Sequence, residues 1–273
     1  MANTCAICGA SINLIQQQKL ADGNFICRKT CQKKGMKEYF DYVHASLPLV
    51  LDHNKQVEEG TKIFNDLFVP RIKGKKKDRP AQFGTGIFVL EDLGLIALAI
   101  PDYKFWIFGK YYPKACVYRL GDLMDYRPEK LMTKPDGTAV KAGQKYIHFI
   151  FNNTPGLSDF FYPYSGDAKK LADYFNKIYG IQKTLGNIGN TWKNQINAAK
   201  AVASGVKAAV KGEEGAEEKA ADAVNALDVA IYGDRTELNR RAAIALQPYL
   251  KGEVPPAAAE PAAPAEQETE TVG

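Results

Sequence analysis

The chain has 273 residues, 45% of them apolar and 25% charged, which are ordinary proportions for a globular protein with a core of its own. The longest apolar run, Leu93 to Ile100, is too short to span a bilayer, and "MANTCAICGA" shows no basic segment leading into an apolar one, so a cytoplasmic protein is expected. The net charge of +5 conceals a split: residues 252–273 hold five acids and no base, leaving 36 basic against 26 acidic residues elsewhere, about +10, which favours anionic partners.

The first element is a cysteine module, residues 1–34. Four of the five cysteines, Cys5, Cys8, Cys27 and Cys31, are spaced C-x2-C-x18-C-x3-C. Each close pair suits one knuckle of a tetrahedral site, and a structural Zn²⁺ is the expected occupant. Disulfides would need an oxidising compartment, which nothing in the sequence indicates. A redox C-x-x-C follows a strand and opens a helix, and the four residues before Cys5 leave little room for that. Catalytic zinc keeps a coordination position open, whereas four cysteines fill the set. Gly9 and Asp22-Gly23 supply tight turns. Ile7, Ile12, Leu14, Ile15, Leu20 and Phe25 are expected to form a small apolar layer beside the metal. So small a module should depend on its metal and lose structure independently of the rest. His44 and His53 offer alternatives for the fourth ligand, although surface or cap roles suit them better.

Residues 36–66 read as a connecting helix, with Ser46 as N-cap of the stretch from Leu47. "PRIKGKKKDRP" then reads as a loop between Pro70 and Pro80. Its Arg71, Lys73, Lys75, Lys76, Lys77 and Arg79 are a candidate anion-binding set for nucleic acid or an anionic membrane surface. The competing reading is a solvated linker, since no aromatic residues interleave with the cations.

From Gly84 to about Tyr164 short β-rich runs alternate with turn chemistry. "GIFVL" and "LIALAI" flank a turn at Gly94; "KFWIF", "ACVYRL", "LMDYR", "KYIHFIF" and "DFFYPY" follow, with turns at "KPDGT" and "NNTPG". Asp167 caps a helix whose stripe is Leu171, Tyr174, Phe175 and Ile178. The predicted fold is α+β: the zinc-ribbon-like module, then an antiparallel β barrel or sandwich over 84–180 closed by one helix. Tyr103, Phe105, Trp106, Phe108, Tyr111 and Tyr112 read as core, Cys116 as a buried thiol, and His148 as outward-facing and structural. Residues 181–251 read as alanine-rich, weakly docked helices, the last opening with a capping box of Asp234 and Glu237. Residues 252–273 read as a disordered acidic tail, open to proteolysis.

"CAICG…KLADGNFICRKTC" resembles the N-terminal module of a family of uncharacterised bacterial proteins. The shared pattern is C-x-x-C-G, then Leu-x-Asp-Gly, then a second cysteine pair, carried here by Cys5, Cys8, Gly9, Leu20, Asp22, Gly23, Cys27 and Cys31. In that family the module often precedes a helix and a β-rich domain. The β region, with Asp122 and Leu123 inside "VYRLGDLMDYR", is similar to bacterial pleckstrin-homology-like domains. The family implies architecture and no biochemical activity.

The residues show no nucleophile motif, no Gly-rich phosphate loop and no telling pair of carboxylates. The reading is therefore a zinc-binding, non-enzymatic scaffold whose β domain engages a protein or an anionic surface, with no small-molecule substrate. The alternative is a nucleic-acid-associated protein using the zinc module and the loop 71–79.

Overall fold

The computed structural model describes residues 3–103, 110–180 and 233–250. The cysteine module consists of two short hairpins and a single helical turn. β1 (Asn3–Thr4) pairs with β2 (Ser11–Ile12), β3 (Gln17–Lys19) pairs with β4 (Phe25–Cys27), and α1 (Cys31–Lys34) follows.

Residues 36–45 form turns where the sequence points to helix. Met36, Phe40, Tyr42 and Ala45 are all buried there, at a spacing no single helical face satisfies. α2 (Leu47–Ile63) begins only after Ser46. Its cap comes from elsewhere, because the carboxylate of Asp22 accepts the Leu47 N–H at 2.7 Å. A π-helical turn, Phe64–Phe68, carries α2 into α3 (Val69–Lys73), so the helix runs past Pro70 where a loop is expected. Pro70 is the second residue of α3, so its missing N–H falls where the π turn passes into α3.

Seven antiparallel strands follow, in two sheets. One has the order β5 (Ala81–Phe83), β6 (Ile87–Leu90), β7 (Leu95–Tyr103), β8 (Lys110–Arg119), and the other the order β11 (Asp159–Pro163), β10 (Tyr146–Phe151), β9 (Leu123–Glu129). α4 (Ala168–Tyr179) follows, with Asp167 accepting the N–H groups of Lys169 and Lys170 as its cap, and Leu171 and Phe175 buried. The two sheets are not closed into a barrel. The β8 edge is instead taken by α2: Thr61 Oγ1 accepts the Ala115 N–H at 3.0 Å. Gln56 reaches on to the loop between β10 and β11 of the other sheet, bonding both the N–H and the C=O of Leu157. A helix thus bridges by side chains what a barrel would join by a strand ladder.

This placement explains why β6 and β7 show no apolar–polar alternation. Ile87, Val89, Ile96 and Leu98 pack with Phe149, Phe160 and Phe175. Their neighbours Phe88, Leu90, Leu95 and Ala97 pack with Phe64 and Phe68. A sheet buried on both faces needs apolar residues at every position.

The first of these cores also contains Cys5, Ile12, Leu20, Ile26, Met36 and Phe40, so buried packing crosses the boundary near residue 34 without a break. His53, fully buried on α2, accepts the Met36 N–H at Nε2 over 2.9 Å and stacks on Phe40 at 4.2 Å. Burial favours its neutral form and lowers its pKa from 6.5 to about 4. The unfolded chain therefore takes up this proton first as pH falls. The stability tied to neutral His53 is present in full above pH 6.5 and is lost on the way down to about pH 4. That loss is worth roughly 3 kcal/mol. Denaturation midpoints of the wild type and of His53→Gln, measured across this window, should diverge, the variant showing the flatter profile. Parallel profiles would show that other groups set the acid sensitivity.

The last helix, α5 (Thr236–Leu250), is docked more closely than its small side chains suggest. Leu238 and Ala242 are buried, and the turns it meets contain Gly94 (φ 62°) and Gly121, neither with room for a Cβ against Leu238 and Asn239. Arg235 lies 4.4 Å over the Tyr179 ring and donates to the Gly121 carbonyl at 2.9 Å. Small residues bury little area but let backbones approach closely. Asp234 accepts the Thr236 N–H as expected, while Glu237 bonds Arg240 and Arg241 instead of completing the capping box. The remaining alanine-rich residues 181–232, the tail from 251 and the aromatics Phe105, Trp106 and Phe108 lie outside the described residues.

Candidate metal centre

The site is assembled by two turns. After β1 the chain folds back through Cys5–Gly9, where the Gly9 N–H donates to the Cys5 carbonyl and Gly9 takes φ +71°, a conformation that favours glycine. Cys27 ends β4, and Cys31 opens α1. The wider C-x3-C spacing is absorbed by this turn into helix, and the Cys31 N–H reaches back to Cys27 Sγ at 3.3 Å. The Cys27 N–H in turn donates to Cys5 Sγ at 3.3 Å. Backbone donors aimed at sulfur are what a cluster of thiolates requires.

The four Sγ atoms all lie within 4.8 Å of one another, and no cysteine is in a disulfide. Cys5 to Cys31 and Cys8 to Cys27 are each 3.7 Å apart. A tetrahedron of sulfurs about 2.3 Å from a central zinc has edges of about 3.8 Å, so these two edges are compatible with such an ion. Cys5, Cys27 and Cys31 are buried and Cys8 is exposed.

The electrostatics are those of a group that shares protons until a cation replaces them. Burial opposes ionisation of Cys5, but the N–H donors of Cys8, Ile7 and Cys27 outweigh it and bring the thiol down to about 6. Cys31 is pushed up, by burial first and then by its three sulfur neighbours. A bound cation would reverse that last effect and hold every sulfur as thiolate.

Four residues outside the cluster hold it against the rest of the fold. Asp22 reaches Leu47, and His53 reaches Met36. Asn54 Nδ2 donates to the Cys31 carbonyl at 3.3 Å. Lys114 of β8 places its ammonium on the Lys33 and Gly35 carbonyls at the C-terminal end of α1, where a cation meets the negative end of the turn. Sequence reasoning treats Asp22 only as a turn residue and gives Asn54 and Lys114 no role. Nothing local marks a partner 20 to 80 residues away.

His44 is exposed and bonded to Asp41 at 2.7 Å, and His53 faces Met36, so neither joins the sulfurs. Ile12 and Leu20 are buried beside the cluster, as expected, with Ile7 and Phe25 partly so. Leu14 and Ile15 are not: they are 75% and 83% exposed. Of the basic set, Arg71 is committed to Asp92 through two contacts of 2.6 and 2.8 Å, and Arg79 donates to the Gly74 carbonyl. Lys73, Lys75, Lys76 and Lys77 are exposed. His148 is buried on β10 where an outward-facing residue is expected, because it is stacked on Phe161 and lies 2.9 Å from Asp159 and 3.0 Å from Glu129. Cys116 is fully buried, which pushes its thiol up to about 12. An open, largely apolar groove runs beside the segment that follows the module, lined by Tyr39, Phe40, Val43, Leu49, Leu157 and Phe161.

Among the described residues no helix is long and apolar enough to cross a membrane. The family described as "Domain of unknown function (DUF4428)" matches residues 4–47, which span the four cysteines and end at the first residue of α2. No curated protein and no solved structure matches the chain.

Proposed function

We propose that this chain is a zinc-stapled, non-catalytic binding protein. Cys5, Cys8, Cys27 and Cys31 hold one Zn²⁺, and a pleckstrin-homology-like β domain presents a surface to a protein partner. The observation that carries the metal assignment is the pair of 3.7 Å sulfur–sulfur edges in a set already spaced for a tetrahedral ion. Zinc suits four thiolates with no geometric preference of its own, and its role here is to cross-link two knuckles. Four sulfur ligands fill its coordination, which favours a structural role over a catalytic one.

Four antiparallel strands, then three, then one amphipathic helix support the pleckstrin-homology-like reading. The groove beside Tyr39 and Phe161 suits a protein segment. Nucleic-acid binding through residues 71–79 is the weaker alternative, since Arg71 is spent on Asp92 and no aromatic platform accompanies the lysines.

Elemental analysis of the purified chain is expected to return one zinc per molecule. Cys8→Ser and Cys31→Ser should each lower retention sharply. Iron in place of zinc, or zinc retained in full after both substitutions, would overturn the assignment.

A further inference from the structure

Leu14 and Ile15 sit at the tip of the turn between β2 and β3, pointing away from the core that holds Ile12 and Leu20. The tip is closed on itself. Asn13 Oδ1 accepts the N–H groups of Ile15 and Gln16 at 3.1 and 3.0 Å. Two of the tip's backbone donors are thus satisfied before any partner arrives, which lowers the cost of taking the loop out of water. The loop after Cys27 lies alongside, with the Arg28 N–H donating to the Gln16 carbonyl at 2.8 Å. Arg28, Lys29 and Lys19 are exposed. No acidic residue occurs in 11–20 or in 24–34.

We propose that this tip is a membrane contact. Leu14 and Ile15 enter the interfacial layer of an anionic bilayer, and Lys19, Arg28 and Lys29 meet the lipid phosphates. Two adjacent aliphatic side chains on a convex, self-bonded turn fit a fluid apolar layer, which moulds itself around them. The charges of 11–20 and of the loop after Cys27 are all cationic, which matches an anionic lipid surface, and the nearby Asp22 is bonded to the Leu47 N–H. With the Ile15 and Gln16 amides already bonded within the turn, less is left for the directional bonding a protein groove supplies. The proposal rests on the zinc-stapled reading, because the staple joins the turn between β1 and β2 to the end of β4, the pairing partner of β3.

The test is flotation of the full zinc-loaded chain with vesicles of phosphatidylcholine alone and of phosphatidylcholine mixed with phosphatidylserine. Partition onto the mixed vesicles only, weakening as salt rises, is expected. Leu14→Ser combined with Ile15→Ser should lower that partition about tenfold or more. Arg28→Glu combined with Lys29→Glu should abolish it. Equal partition of the double serine variant, or no partition of the wild type onto mixed vesicles, overturns the proposal. Zinc content is read on the same samples. Full zinc without vesicle binding removes the membrane contact and leaves the staple standing. Tip-dependent binding by a chain that holds no zinc supports the contact and removes the staple.

Discussion

Removal of the proposed zinc is expected to abolish amide protection across residues 3–34, and also through 36–45 and the first turns of α2. The module has few apolar residues of its own. In isolated zinc-finger peptides the metal contributes roughly 10–16 kcal/mol of apparent binding free energy, so an equivalent staple would account for most of the module's stability. The following segment depends on the module in turn. Met36 and Phe40 pack on His53 or its surroundings, the α2 N-terminus is capped by Asp22, and Asn54 and Lys114 bond the carbonyls of Cys31, Lys33 and Gly35. Once the module loses its shape these hydrogen bonds are lost together.

The sheets should hold. β6, β7 and β10 carry a run of buried Ile, Leu, Val and Phe side chains, each worth roughly 1.5–3 kcal/mol, none of which needs the metal. Hydrogen exchange before and after a chelator reads the boundary. Retained protection at 36–45 would assign that segment to the β domain alone. Loss extending through β6 and β10 would show one cooperative unit, which the unbroken core also permits.

Gly60→Ala is expected to destabilise the protein by about 1–3 kcal/mol, against the ordinary sign of that change in a helix. In an exposed helix interior alanine is favoured over glycine by about 1 kcal/mol. At Gly60 a Cβ would lie 2.5 Å from the Ala115 carbonyl oxygen and 2.9 Å from the Val117 nitrogen. Both are backbone atoms of β8, and neither can rotate aside as a flexible side chain would. α2 must therefore lift from the strand, stretching the Thr61 bond to the Ala115 N–H and loosening the π turn, whose Phe64 and Phe68 are fully buried. Overpacking thus outweighs the propensity gain. Chemical denaturation of the variant measures the difference directly. An increase in stability would mean that α2 does not press on β8 in solution.

The cysteine spacing, the turn glycines, the strands from Ile87 to Pro163 and the Asp167 cap are all legible in the sequence, because each expresses a preference within a few residues. Spacing alone places Cys5, Cys8, Cys27 and Cys31 on two knuckles, and the apolar runs of β6 and β7 identify buried strands. The tertiary structure decided what those elements do to one another. Asp22 caps a helix 25 residues away, α2 takes the sheet edge that would close a barrel, and the π turn carries helix past Pro70. Leu14 and Ile15 carry the same apolar signal as Ile12 and Leu20 yet lie outside the core. Hydrophobicity states that a side chain gains by leaving water, but only the path of the chain around the four sulfurs determines which side chains find a neighbour to leave it with.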